Sequence, residues 1–266
     1  MRGAWQRVSS QRFVGCRAGK TSLGTETQKT NNSEQIASAM LISHKHKFIF
    51  IHIQKTAGTS ISSALEPFCE ESYPSIKHWN ARKIKEKFGA GVWDEYFKFS
   101  FVRNPYERLI SWYNMIDKAR EIAGHNPNPF HAYIQKNIHS FSEFILNDKV
   151  FIDANVLRWR LAPQRIAQFQ RLSEGGRIIV DFVGKYENIN EDFSFICRKL
   201  NIEGVTLPHI NRCDHGHYMN YYTKEIIGEV NSFAEEDFIH FYTKEYILGT
   251  VPPRQRDSSA AYGVLR

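Results

Sequence analysis

Cysteine is scarce in this sequence, and the few present do not cluster. Cys16, Cys69, Cys197 and Cys213 lie far apart and form no CxxC pair, which argues against a zinc site and against a dense disulfide framework. A reducing compartment is the simplest fit. Long apolar runs are missing too. No stretch approaches the ~18–20 apolar residues of a membrane helix, and the longest strand-like block, Phe48, Ile49, Phe50 and Ile51, is bounded by Lys47 and His52. The third shortage is surplus charge in the body. Formal net charge is +7, but residues 1–39 hold six basic and two acidic side chains, leaving 29 and 26 for the rest. An excess of that size does not present a Lys/Arg face to nucleic acid, so no nucleic-acid partner is expected.

What is present is enough apolar material for one large core: 42% hydrophobic and 14% aromatic residues in a 266-residue chain. We read a single domain over residues 40–246 and a C-terminal tail at 247–266. Residues 1–39 are rich in Arg, Ser, Thr, Gln and Asn. An organelle transit segment, a disordered extension and an upstream start with Met40 as the working start all fit that composition.

The domain opens on a β-branched and aromatic run, residues 48–53, patterned as a buried parallel strand. It empties into the small-residue loop 54–60 and a helix that stops near Pro67. A second strand at 98–102 leads to Asn104 as N-cap, Pro105 at the first helical position and Glu107 completing a capping box. Leu109, Trp112, Tyr113 and Ile116 form the core stripe of that helix, and Ser111 points away from it. Residues 124–130 read as a loop near the substrate entrance, followed by poorly diagnostic helix to about Arg171. A third strand, 177–183, precedes a helix with Phe193, Ile196, Cys197 and Leu200 on one face. Residues 224–241 read as one amphipathic helix through Ile226, Val230, Phe233, Ala234 and Phe238. Alternating strands and helices predict an α/β fold, a P-loop-like and mainly parallel sheet flanked by helices.

The first loop is the most informative segment. A strand that passes through small residues into a helix N-terminus presents backbone N–H groups and a positive dipole end to an anion. Lys55 adds a full charge, Thr56, Thr59 and Ser60 add hydroxyls, and Gly58 permits close backbone approach. The order is not that of a Walker A loop, since Lys55 precedes Gly58, and no magnesium-binding acidic cluster accompanies it, which disfavours a nucleotide-dependent kinase. Arg103 at a strand end and Ser111 two turns into a capped helix supply a guanidinium and a hydroxyl for a second anion. The bland alternatives are a salt bridge for Arg103 and a solvent hydroxyl for Ser111. Arg108 has Glu107 or Asp94 as alternative partners.

Residues 50–60, FIHIQKTAGTS, resemble the 5′-phosphosulfate loop of carbohydrate sulfotransferases of the heparan 2-O and chondroitin 4-O type, which reads H-x-P-K-T-[AG]-G-T-S. Gln54 replaces the common Pro. Residues 101–111, FVRNPYERLIS, resemble the same family's 3′-phosphate motif, R-[DN]-P-x-x-R-x-x-S. Lys55 and Arg103 stand 48 positions apart in the family's order, and weaker likeness through 183–188 and 207–211 extends the resemblance over most of 45–245. It implies 3′-phosphoadenosine 5′-phosphosulfate (PAPS) as co-substrate and no metal. Lys55, Thr56, Ala57, Gly58, Thr59 and Ser60 would meet the 5′ end, and Arg103 and Ser111 the 3′-phosphate. A late loop would close over the nucleotide, making Arg212 and Tyr218 candidates for phosphate contact and adenine stacking; a polar aromatic surface loop is the alternative.

Transfer to a hydroxyl also needs a base, and histidine titrates nearest the working pH. Among eleven histidines, His78 lies between the two anion motifs, where the resembling family keeps its catalytic His before a helix. His52 orients the loop or fills the core. His209, His215 and His217 line the nucleotide or lie exposed, and with Cys213 the last two lack a fourth ligand for zinc. The expected activity is therefore in-line sulfuryl transfer from PAPS to a hydroxylated acceptor, a glycan by resemblance, with His78 as base and Lys55 stabilising the leaving charge. A non-catalytic nucleotide- or polyanion-binding module is the rival of another class. A cytoplasmic location is expected, with the Golgi, where animal members of the family are anchored, or an organelle as alternatives.

Overall fold

The computed structural model describes residues 39–121, 129–146, 165–208 and 218–242. Five strands form one sheet in the order β3-β1-β2-β4-β7. Three are parallel: β2 (Phe48–Ile51), β4 (Phe97–Val102) and β7 (Phe182–Lys185). The other two, β1 (Met40–Ser43) and β3 (Glu71–Tyr73), run antiparallel at one edge, so the sheet is mixed. These edge strands carry no sequence signal of their own: β1 is four residues long and is buried by pairing on both sides.

Alternation along β2 sorts the core into two layers. Ile49 and Ile51 face one cluster, with Trp112, Leu109 and Ile116 of α3 (Pro105–Lys118), Ile84 of α2 (Ala81–Glu95), and Ile226 and Val230 of α8 (Lys224–Phe233). Phe48 and Phe50 face the other, with Ile61 and Leu65 of α1 (Gly58–Leu65) and Phe193 and Ile196 of α7 (Ile189–Lys199). Helices therefore cover both faces, as parallel strands require. The first face also packs α4 (Pro129–Asn137), α5 (Phe141–Leu146), α6 (Gln168–Leu172) and α9 (Glu235–Phe241).

Three local expectations are revised. The run 177–183 is not one strand: a short hairpin of β5 (Ser173–Glu174) and β6 (Arg177–Ile178) turns at Gly175 and Gly176, both at positive φ, and β7 starts only at Phe182. The helix expected over 224–241 divides into α8 and α9 at Ala234, whose φ of −107° and ψ of 14° leave the helical basin. The folded unit also begins before Met40, since Ala39 is buried and exchanges two hydrogen bonds with the Ser62 hydroxyl, at 3.2 and 3.0 Å.

This layout positions the site. β2, β4 and β7 end at the same sheet edge, in register Ile51↔Ser100 and Val102↔Lys185, so the segments after them, 52–57, 103–104 and 186–188, converge there. Crevices beyond the carboxyl ends of parallel strands are where α/β sheets bind ligands.

Candidate active site

The loop after β2 is held in an unusual backbone shape. Lys55 and Ala57 both have positive φ, 69° and 64°, a region costly to non-glycine residues that clusters at functional sites. The Thr56 hydroxyl donates to the Ile53 carbonyl at 2.9 Å and is buried, so it braces the loop from inside. Ala57 caps α1 with no side-chain bond, and the first turn of α1 holds no acid. The amides of Gly58, Thr59 and Ser60 thus open a helix with no side-chain cap bond and no acid in its first turn, beside a half-buried Lys55.

Gly58 is required here by sterics. A Cβ at this position would lie 1.9 Å from ring atoms of His52, and His52 is itself buried, stacked 5.9 Å from Phe50. Desolvation holds the His52 imidazole well below its ordinary range. Beyond it stands His78, whose ring meets that of His52 edge-on at 4.8 Å. His78 Nδ1 lies 3.4 Å from the His52 carbonyl. A carbonyl only accepts, so Nδ1 carries the proton and Nε2 keeps its lone pair. Burial, with the Lys77 charge adding to it, pushes His78 down to about 4. Arg171 of α6 donates to the His78 carbonyl at 3.1 Å, and Asn80 then caps α2 by accepting from Lys83 N at 2.9 Å. The structure thus brings His78 to the Lys55 loop from 23 residues along the chain.

The second anion motif is arranged differently. Asn104 does cap α3, accepting from Tyr106 N at 3.0 Å, but Glu107 does not complete the capping box. The Asn104 N–H goes instead to the half-buried Glu187, at 2.6 Å, and Glu107 takes the Arg103 guanidinium at 3.1 Å. Arg103 also stacks on Tyr186 at 4.1 Å. Ser111 lies one further turn along the same helix, nearly buried. Arg108 pairs with neither Glu107 nor Asp94, because Arg103 occupies the first and Asp94 is exposed. It donates from Nε to the Gln54 carbonyl at 3.1 Å, leaving Nη2 buried without a partner. Desolvation lowers it to about 10. An orphaned guanidinium N–H against the phosphate-type loop fits an anion that remains to be supplied.

Sequence reasoning missed three residues. Gln168, fully buried, clasps the Arg103 backbone from both sides, accepting from its N–H at 2.9 Å and donating to its carbonyl at 2.8 Å. Asp237 holds Gln168 at 3.1 Å and the Phe169 amide at 2.7 Å. Arg171 anchors the His78 segment. None lies in a motif; only long-range contact reveals them. Tyr218 stacks on Tyr106 at 6.0 Å, against α3. Arg212 lies outside the described residues, as do His209, Cys213, His215 and His217 and positions 124–128 of the loop expected over 124–130, whose last two residues begin α4.

A family model described as "Sulfotransferase family" matches residues 38–246. The chain belongs to the sulfotransferase family. Among curated proteins, carbohydrate sulfotransferase 10 of Xenopus laevis is 21% identical across 80% of this chain and 69% of its own length. An uncharacterized protein of Archaeoglobus fulgidus is 25% identical across 45% of this chain and 79% of its own. No solved structure matches. Among the described residues of this sulfotransferase-family chain, no helix is long and apolar enough to cross a membrane.

Proposed function

We propose that the chain transfers a sulfuryl group from PAPS to a carbohydrate hydroxyl, with His78 as general base. The observation that carries this reading is the meeting, at one sheet edge, of an uncapped, positively charged loop and an imidazole whose Nε2 lone pair is left available. PAPS supplies the activated sulfuryl group and departs as 3′,5′-adenosine bisphosphate. The loop amides and Lys55 hold the 5′ end and stabilise charge on the leaving oxygen. The acceptor oxygen bonds to sulfur as the sulfur–oxygen bond to the 5′-phosphate breaks, and His78 Nε2 takes the acceptor proton. His78 is neutral at physiological pH, and negative charge bound to the loop raises its basicity towards the useful range. The carbohydrate acceptor is supported by the name of the Xenopus relative.

The test is transfer from radiolabelled PAPS to a panel of glycans, with and without His78→Ala. Removing the base should lower kcat by ~10²–10⁴ while 3′,5′-adenosine bisphosphate still binds with wild-type affinity. Unchanged kcat would refute the base, and parallel loss of nucleotide binding would make His78 a support of the donor site. A wild-type protein that binds ADP as well as 3′,5′-adenosine bisphosphate would refute the PAPS reading.

A further inference from the structure

The segment carrying His78 continues into a surface that the transfer chemistry does not use. Trp79 is exposed, at 36% of its full accessibility. A single exposed aromatic is ordinary, but this one is mounted rigidly. Its own N–H donates to the Ile76 carbonyl at 2.9 Å, the preceding carbonyl is held by Arg171, and the following residue caps α2. The backbone is pinned on both sides while the indole faces solvent beside the base.

Positive charge collects along the same helix. Residues 77–87 contain five Lys and Arg against one carboxylate, although the whole body beyond residue 39 has an excess of only three. Arg82 and Lys85 are matched by Glu86 at 3.4 Å and Glu174 at 2.8 Å. Lys83 and Lys87 are exposed and lie within 4 Å of no described carboxylate; they rest by aromatic rings instead, Lys83 at 5.9 Å from Trp79 and Lys87 at 5.7 Å from Tyr73. Four residues apart, they share one helix face about 6 Å apart along the axis.

We propose that Trp79, Lys83 and Lys87 form the acceptor-docking track: one pyranose ring stacks on the Trp79 indole beside His78, and acidic substituents on the adjoining sugars pair with Lys83 and Lys87. This rests on the transfer reading above and narrows its acceptor to an anionic glycan. Trp79 supplies a rigid apolar platform of low entropic cost, and the two lysines supply the selectivity, screened by salt.

The full chain, saturated with 3′,5′-adenosine bisphosphate, is titrated with an unsulfated hyaluronan octasaccharide, with neutral maltooctaose and with an octathymidylate. Hyaluronan should bind about tenfold or more tighter than maltooctaose at low salt, and the gap should close near 1 M salt. Trp79→Ala should weaken both glycans about tenfold, with Trp79→Phe between. The double substitution Lys83→Gln, Lys87→Gln should abolish the preference for hyaluronan and leave maltooctaose and nucleotide affinity unchanged. Wild-type binding in all variants, no glycan binding by the wild type, or octathymidylate binding as tightly as hyaluronan would overturn the track. The donor reading is judged separately, by the preference of the same protein for 3′,5′-adenosine bisphosphate over ADP.

Discussion

The two anion motifs differ in how ready they are. In the loop after β2, strain is already in place: Lys55 and Ala57 sit at positive φ, Gly58 is locked against His52, and the first turn of α1 holds no acid. At the start of α3, the cation is committed, because Arg103 is paired with Glu107 and stacked on Tyr186. A preorganised anion site binds without rearrangement, whereas a site whose cation holds an internal partner binds only by exchanging it. On the proposed PAPS reading, the 5′ end of the nucleotide would meet a prepared cradle and its 3′-phosphate a competitor.

The sharpest way to break this comparison is Gly58→Ala. The added Cβ would overlap the His52 ring, so either the ring or the loop must shift. Overpacking of this kind costs ~1–3 kcal/mol of stability, and displacement of the cradle should abolish measurable nucleotide binding in calorimetry. Retention of both wild-type melting temperature and affinity would show that the contact is loose. Next in size is Arg103→Ala. If Arg103 exchanges Glu107 for a 3′-phosphate, the loss should be about tenfold or more for 3′,5′-adenosine bisphosphate, from a charge-assisted bond of ~1.5–3 kcal/mol, and near zero for ADP. Equal loss for both nucleotides would assign Arg103 to folding, as its Gln168-clasped backbone and Tyr186 stack also allow.

The loop side has a pH signature of its own. His78 is pushed down to about 4 in the folded chain, against an ordinary value near 6.5 when unfolded. Between those values the unfolded chain binds the extra proton, so stability rises with pH; the contribution is complete above about 6.5 and falls away as pH drops towards 4. At pH 5 the loss is about 2 kcal/mol. Buried Asp237 and half-buried Glu187, whose carboxyls burial shifts upward, act in the opposite sense over an overlapping range, so the measurement is a difference. Urea denaturation of wild type and His78→Gln at pH 7 and 5 should show a smaller drop in the variant; identical drops would mean His78 is not buried as described.

What was legible beforehand was local. A buried strand, a small-residue loop, an N-cap and a Pro at the first helical position all announce themselves within ten residues, and the sheet edge at which both motifs sit followed from them. What stayed hidden depends on distance along the chain. Glu107 reads as a capping residue, yet the Asn104 amide prefers Glu187, 83 positions later, freeing Glu107 for Arg103. Gln168 and Asp237 are unremarkable letters until folding places them under Arg103. Strand β1 is invisible because four residues carry too little period to separate from a tail. The division at Ala234 follows from packing that periodicity alone does not encode.

The smallest expected effect is also the most discriminating, because it tests the competitor directly. Glu107 lies four residues after Arg103, which precedes the N-cap of α3, and four before Ser111. If its carboxylate must release Arg103 before a 3′-phosphate binds, Glu107→Gln removes both the rival ligand and a like charge beside the incoming phosphate. The Arg103–Glu107 pair is an i,i+4 bridge whose carboxylate is 28% accessible, so little stability rests on it, about 0.3–0.5 kcal/mol. Binding of 3′,5′-adenosine bisphosphate should therefore tighten by about two- to fivefold, while ADP is unaffected and the melting temperature falls by no more than a few degrees. The gain should shrink with added salt, because it is electrostatic in origin. Weaker binding in the variant would reverse the argument: Glu107 would then be orienting Arg103 for the phosphate, and the second motif would be as preorganised as the first.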